Sequence, residues 1–294
     1  MPTQQELLRN VRRIEIRTDR LSNDFITGGY HSVFKGQGIE FHEVRPYTAG
    51  DDVRTIDWNV TARTGAPHVR RYVEERELTV MLLVDASGSV DFGTQERTKA
   101  ETAAEVCAVL AFSATKNADK VGLAMFTDEV ELFIPPKKGR HQVLRVIREV
   151  LGFERKSRGT NLRGAVEFVT RTLTRRAVLF VVSDFRDERY LDALSIARRK
   201  HDVIAVDISD PRERDLCPVG LVELEDAETG RRAVVDTSAR SVRRLLQRGE
   251  AGLAEERRKA FQSRGIDLVS ITTAEPPIDP LVRFFELRRR RLAR

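Results

Sequence analysis

Residues 78–89 read LTVMLLVDASGS. The first seven are apolar apart from the β-branched Thr79, a run too short for a typical helix and suited to a strand buried on both faces of a parallel sheet. The run stops at Asp85, after which Asp85, Ser87 and Ser89 alternate with Ala86 and Gly88. Three small oxygen-bearing side chains thus stand at the C-terminal end of a buried strand, where open α/β sheets bind ligands. With no Cys or His among them, they suit Mg²⁺ or a similar hard divalent cation, and suit zinc or copper poorly.

Working outward, residues 177–183 form a second apolar run that ends in Asp184. Between the two runs the periodicity alternates. Ala100, Ala103, Ala104, Cys107, Leu110, Ala111 and Ala114 share one face of a long helix, and residues 121–126 and 130–134 read as strands. Residues 141–151 are helical, and the loop Gly159-Thr160-Asn161 leads into a helix bearing Leu162, Ala165, Val166 and Val169. Downstream come a helix over 191–199, a strand over 202–208 and a hairpin over 220–235. A helix capped by Ser238 runs towards Gln262, a last strand spans 266–271, and a terminal helix begins at Asp279. Such alternation predicts an α/β fold with a doubly wound, mainly parallel sheet.

Upstream, residues 3–26 have helical spacing, and residues 30–77 are polar and irregular. Within them, residues 39–44 suggest a short strand, and Asp51 and Asp52 could cap a short helix through Trp58. Residues 59–62 and 68–73 flank Thr64-Gly-Ala-Pro67 in a hairpin-like pattern. The expected division is a β-rich N-terminal appendage over residues 1–77 and the main α/β domain, with its C-terminal helix, over 78–294.

The 294 residues are 33% charged and 40% hydrophobic, enough to build a sizeable core. No uncharged apolar run reaches the length of a membrane span, and MPTQQELLRNVRR lacks a signal-peptide core. Cys107 and Cys217 have no metal-type spacing and read as reduced thiols of a cytoplasmic protein. The net charge of +6 is concentrated in residues 283–294, where six Arg and one Glu leave the rest of the chain close to neutral. One reading of that run is nucleic-acid binding. The other is an amphipathic helix that docks Leu281, Phe284, Phe285 and Leu292 while its Arg side chains face water.

Three loops can meet at the sheet edge, carrying Asp85, Ser87 and Ser89, then Thr160, then Asp184. The set resembles the metal-ion-dependent adhesion site of von Willebrand factor A domains, with its Asp-x-Ser-x-Ser, distant Thr and distant Asp. All five positions match in chain order, and the resemblance covers roughly residues 78–271. It implies a Mg²⁺ or Mn²⁺ ion held by the two serines and Thr160, with Asp85 and Asp184 binding directly or through water. It also implies an open position that accepts a partner protein's carboxylate. A plainer alternative makes Thr160 and Asp184 helix caps.

A second resemblance lies upstream, in Gly36-x-Gly38-x-Glu40-Phe41, Arg45-x-Tyr47, Gly50-Asp51-Asp52-x-Arg54-x-Ile56-Asp57-Trp58 and Ala62-Arg63-Thr64. These look like the bacterial domain-of-unknown-function family fifty-eight, in which this signature precedes a von Willebrand A-like domain. The resemblance implies partnership with a MoxR-type AAA+ ATPase or its client. The alternative for Asp51, Asp52, Arg54 and Asp57 is a set of internal turn and ion-pair contacts.

An enzyme would need more. A metal-dependent hydrolase or phosphatase using Asp85 and Ser87 lacks the second carboxylate of Asp-x-Asp, since Ser87 holds that place. No Gly-x-Ser-x-Gly elbow exists, and Gly159 to Gly164 lacks the Lys-Ser/Thr of a phosphate loop. The sequence therefore predicts a non-enzymatic, cation-dependent protein-interaction module.

Overall fold

The computed structural model describes residues 40–73, 77–94, 97–187 and 189–292, so the helix expected over 3–26 lies outside the described residues. The chain divides into two compact units, residues 34–78 and a second that contains residues 79–294.

In the smaller unit β1 (Glu40–Pro46) pairs antiparallel with β2 (His68–Val73). Between them lie a 3-10 turn at Val53–Thr55 and a helix, α1 (Trp58–Thr64). The helix corrects the expected hairpin arm over 59–62, and Trp58 begins a helix rather than ending one. The cause is Asp57, whose carboxylate accepts the backbone N–H groups of Asn59 and Val60 at 3.0 and 3.2 Å, while Gly65 closes the helix at φ +72°. The internal-contact reading of the acidic signature holds for its side chains. Asp51 grips Arg45 bidentately at 2.6 and 2.8 Å, Asp52 accepts the Arg54 N–H at 2.9 Å, and Asp57 accepts Arg70 Nε at 2.8 Å.

The larger unit is built on a six-stranded sheet. Its strands are β3 (Thr79–Asp85), β4 (Lys120–Phe126), β5 (Val130–Lys137), β6 (Val178–Ser183), β7 (Asp202–Ser209) and β10 (Asp267–Thr272). They lie in the order β10-β7-β6-β3-β4-β5, all parallel except β5 at the edge. Every residue of β6 is buried, as is β3 from Val80 onward, so both are apolar on both faces. Met81 and Leu83 share one core cluster with residues of α4 (Leu162–Thr172) and α5 (Leu191–Lys200) and with Phe261. Their neighbours Leu82 and Val84 point to the other face by strand alternation, where Val84 lies beside Ala100 and Ala103 of α2 (Lys99–Lys116). Each such side chain stabilises the fold by about 2 kcal/mol. The small residues of α2 let it bury most of its circumference beneath α3 (Arg140–Leu151). A capping box between Thr98 and Glu101 fixes its start.

After the short α6 (Pro211–Arg214), an antiparallel arm of β8 (Leu221–Glu225) and β9 (Arg232–Asp236) leads into α7 (Arg240–Ser263). Ser238 does not cap α7; Ala239 holds the N-cap position. The terminal α8 (Ile278–Leu292) packs along β10, with Leu281, Phe284 and Phe285 buried. The docked-helix reading of the tail holds for these three, with one correction. Arg288 does not simply face water: it pairs with Asp202 and, at 3.0 Å, with Asp267. Among the described residues no helix is long and apolar enough to cross a membrane.

Candidate functional site

From β3 the chain winds to β4 on one side and later to β6 on the other. The crevice at this reversal, beyond the C-terminal ends of β3 and β6, is where such sheets place ligands. Asp85 closes β3, and Asp184 follows β6 directly.

Asp85 is buried, and both its oxygens are held. Oδ1 accepts the Ser87 N–H at 2.9 Å, and Oδ2 accepts the Ser183 hydroxyl at 2.7 Å. Burial pushes its pKa up to about 6, and the negative charge of Asp184 adds to this, against the hydrogen bonds from Ser183 and Ser87. No cation is among these groups. The Ser87 and Ser89 hydroxyls lie 3.1 Å apart, and Ser89 is near enough to Asp184 to help hold its carboxyl down.

Asp184 is differently placed. Burial raises its proton affinity, but Lys99 outweighs this, with help from Arg186 and Ser89, and holds the carboxyl below the ordinary range. Lys99 Nζ lies 3.0 Å from Asp184 Oδ2 and also pairs with Glu213 of α6. The next residue, Phe185, takes φ +53°, an uncommon conformation for a bulky side chain. It is held there by the Ser183 oxygen, which accepts the Phe185 N–H at 3.0 Å, and by ring packing against Tyr190 and Phe261 at 5.4 and 5.2 Å. This turn, with Arg257 Nη1 donating to the Asp184 carbonyl at 3.0 Å, fixes the position of Asp184. Arg257 also pairs at 2.9 Å with Asp207, whose pKa burial pushes up to about 6 despite that partner.

Four of the expected residues, Asp85, Ser87, Ser89 and Asp184, therefore form one cluster. Thr160 stands on the loop before α4 and points its hydroxyl at Glu228, 2.7 Å away. It does not cap α4. Asn161 does, accepting the Gly164 N–H at 2.9 Å. The cap alternative fails for Asp184 also, since α5 has Tyr190 at its N-cap position. The Glu228 pKa is raised by partial loss of water and by Asp184, Asp226 and Asp187, against the hydrogen bond from Thr160.

The donor set is entirely oxygen. It fits a hard cation in chemical type, and the buried Asp85 charge is what such an ion would compensate. Among the described residues no group of three or more His, Cys, Asp or Glu side chains could hold a metal, so any ion here relies on the hydroxyls. The Ser87 hydroxyl is bonded to that of Ser89. His201 accepts the Ala177 N–H beside the start of β6, at the opposite sheet edge.

Sequence reasoning missed Lys99, Ser183, Glu213 and Glu228. Ser183 was legible as an oxygen donor beside Asp184. A lone Lys at the head of an Ala-rich helix carries no such signal, and the hairpin tip of Glu228 was readable but its destination was not.

Sheet order and switch point define an α/β protein with a doubly wound, mainly parallel sheet. Residues 43–256 match the family described as "Protein of unknown function DUF58", and the chain belongs to that family. Uncharacterized proteins of Mycobacterium tuberculosis and Mycobacterium bovis are each 32% identical over 286 residues, spanning 95% of this chain and 89% of theirs. Among solved structures, BatB from Bacteroides thetaiotaomicron aligns with TM-score 0.47 and 14% identity, over 72% of this chain and 99% of that one. The von Willebrand A domain of SpRpn10 aligns with TM-score 0.39 and 12% identity, over 70% and 94%.

Proposed function

We propose that this protein is a non-enzymatic, divalent-cation-dependent interaction module of the cytoplasm. In this reading Asp85, Ser87, Ser89, Thr160 and Asp184 hold Mg²⁺ or Mn²⁺, and an acidic side chain of a partner protein enters the remaining position. The observation that supports it most is Asp85, a buried carboxylate whose strongest interactions include another carboxylate and no cation. Lys99 neutralises Asp184 but leaves Asp85 uncompensated. A divalent ion beside the three hydroxyls would supply that charge.

The test is calorimetric titration with Mg²⁺ and Mn²⁺. Wild type should bind about one ion per chain, and the Asp85→Ala, Ser87→Ala double variant should not. Equal binding by both removes the site. The resemblance to family members that work beside MoxR-type AAA+ ATPases makes such an ATPase, or its client, the proposed partner. Capture of that ATPase in Mg²⁺ and its loss in EDTA supports the assignment. Capture indifferent to EDTA shifts the binding surface to the signature of residues 36–64, where Trp58 is 69% exposed.

A further inference from the structure

At the N-terminal edge of the sheet, opposite the Asp85 cluster, four helices end side by side. Asp202 begins β7 and Asp267 begins β10, and Arg288, in the last turn of α8, pairs with both. Lys200, the last residue of α5, donates from Nζ to the Thr170 carbonyl near the end of α4 at 2.9 Å. Arg198 Nε donates at 2.6 Å to the carbonyl of Gly265, just past α7. These bonds draw the ends of α4, α5, α7 and α8 onto one face.

That face is strongly cationic. Its segments 172–176, 198–202, 264–267 and 288–291 hold ten Lys and Arg against two carboxylates, Asp202 and Asp267. The excess is larger than the +6 of the whole chain, so the remainder of the chain is slightly acidic. A basic residue in a last turn offsets the helix dipole, yet Arg175 and Arg176 stand beyond the last turn of α4, and α8 carries four successive Arg. Arg175, Arg176, Arg199, Arg289 and Arg290 are exposed, and no salt bridge among the described residues engages them. Leu287, 58% exposed, lies one turn from Arg283 on one side and from Arg290 and Arg291 on the other.

We propose that this face docks the protein on an anionic phospholipid membrane surface, which leaves the Asp85 edge of the sheet turned away from the lipid. The inference does not depend on the cation site proposed above. A bilayer is a flat sheet of negative charge, and helix ends set side by side can reach it together. Duplex DNA is read by a helix or ribbon laid in a groove, whereas this face presents its helices end-on. Leu287 among its arginines adds the apolar contact that a lipid interface rewards and a phosphate backbone does not.

The test is co-sedimentation of the full chain with vesicles of mixed phosphatidylglycerol and phosphatidylcholine, beside vesicles of phosphatidylcholine alone. Wild type should bind the anionic vesicles, and added salt should release it. The combined variant Arg175→Gln, Arg176→Gln, Arg289→Gln, Arg290→Gln should keep its circular dichroism and bind more weakly by about fivefold for each charge removed. The control is Arg244→Gln, Arg248→Gln, whose arginines are exposed near the start of α7. Arg244 lies about 30 Å along the helix from Arg264, and this variant should bind like wild type. EDTA should leave vesicle binding unchanged, because the face is formed without the cation site. Equal binding to both kinds of vesicle, a four-site variant that matches wild type, or binding abolished by EDTA overturns the proposal. Tighter binding to random DNA than to anionic vesicles at the same salt, lost in the four-site variant, assigns the face to nucleic acid and overturns it too.

Discussion

Lys99 Nζ lies 3.0 Å from Asp184 Oδ2, and their side chains are only 1% and 5% exposed. An ammonium this deep is tolerated because Glu213 flanks it as well. Removing the charge leaves Asp184 and Glu213 with only the more distant Arg186, 3.8 and 3.5 Å away, to offset their repulsion. Lys99→Met should lower the unfolding free energy by about 3–5 kcal/mol, and adding Asp184→Asn should recover part of the loss. Urea denaturation of both variants decides the matter. A single variant within 1 kcal/mol of wild type (about the net value of an exposed pair) would show that the pair carries no unusual energy.

The Ser183 hydroxyl bridges two features, donating to Asp85 and accepting from the strained Phe185. Ser183→Ala should cost about 1–3 kcal/mol, because it strands a buried acceptor and a buried donor. Ser195→Ala serves as control. There the hydroxyl only bonds back to Leu191 on its own helix, and the change should stay within about 0.5 kcal/mol. Equal losses in the two variants would refute the bridging role.

His201 is buried, and burial pushes its pKa down to about 4, with the positive Lys200 next in effect. Its Nδ1 accepts the Ala177 N–H at 3.2 Å, which requires an unprotonated nitrogen. The unfolded chain protonates near the ordinary value of 6.5. Between those values the unfolded state holds the extra proton, so this stability is full above the upper one and is lost as pH falls towards the lower. His201→Asn keeps an acceptor and cannot titrate. Across that window its stability should change less steeply with pH, by up to about 1.4 kcal/mol per pH unit. Parallel curves for wild type and variant would exclude His201 as the source.

Thr160 stands on a loop, partly exposed, and its hydroxyl donates to Glu228 at 2.7 Å. If the proposed site and partner are right, Thr160→Ala should leave circular dichroism unchanged while weakening Mg²⁺ binding and capture of the proposed ATPase. Unchanged affinity in both assays would remove Thr160 from the ligand set.

Three of the tail's arginines are already engaged, Arg283 with Glu275 at 3.7 Å, Arg288 with Asp202 and Asp267, and Arg291 with Asp267 at 3.0 Å. Arg288→Gln should destabilise the protein by about 1.5–3 kcal/mol by loosening α8 from the sheet. Binding to random DNA should be weak and show a shallow salt dependence. A steep slope that Arg288→Gln leaves intact would favour the nucleic-acid reading of the tail.

The sheet was legible because β3 and β6 are unbroken apolar runs, each followed by a carboxylate, and because helical periodicity returns between strands. Asp85, Ser87, Ser89 and Asp184, which the structure brings together, could be named from those same boundaries. Local chemistry at single residues was harder to read. Residues 59–62 look extended until Asp57 is recognised as a cap, and Ser238 looks like a cap although Ala239 occupies that position. Long-range charge pairing left no trace. Lys99 reaches Asp184 across 85 positions, and Arg288 reaches Asp202 across 86. Nothing in either local pattern names the partner, because only the folded sheet brings strand ends and helix termini together.

The central placement of β3 also constrains synthesis on the ribosome. β4 and β5 follow soon after β3 and can shield one of its edges, but β6, which covers the other, emerges only after residue 177. During that interval the backbone edge of Val80–Asp85 stands open on a half-built sheet, a template for wrong pairing. Nascent chains stalled before residue 178 should therefore cross-link to chaperones through β3, and chains extended past residue 183 should release them.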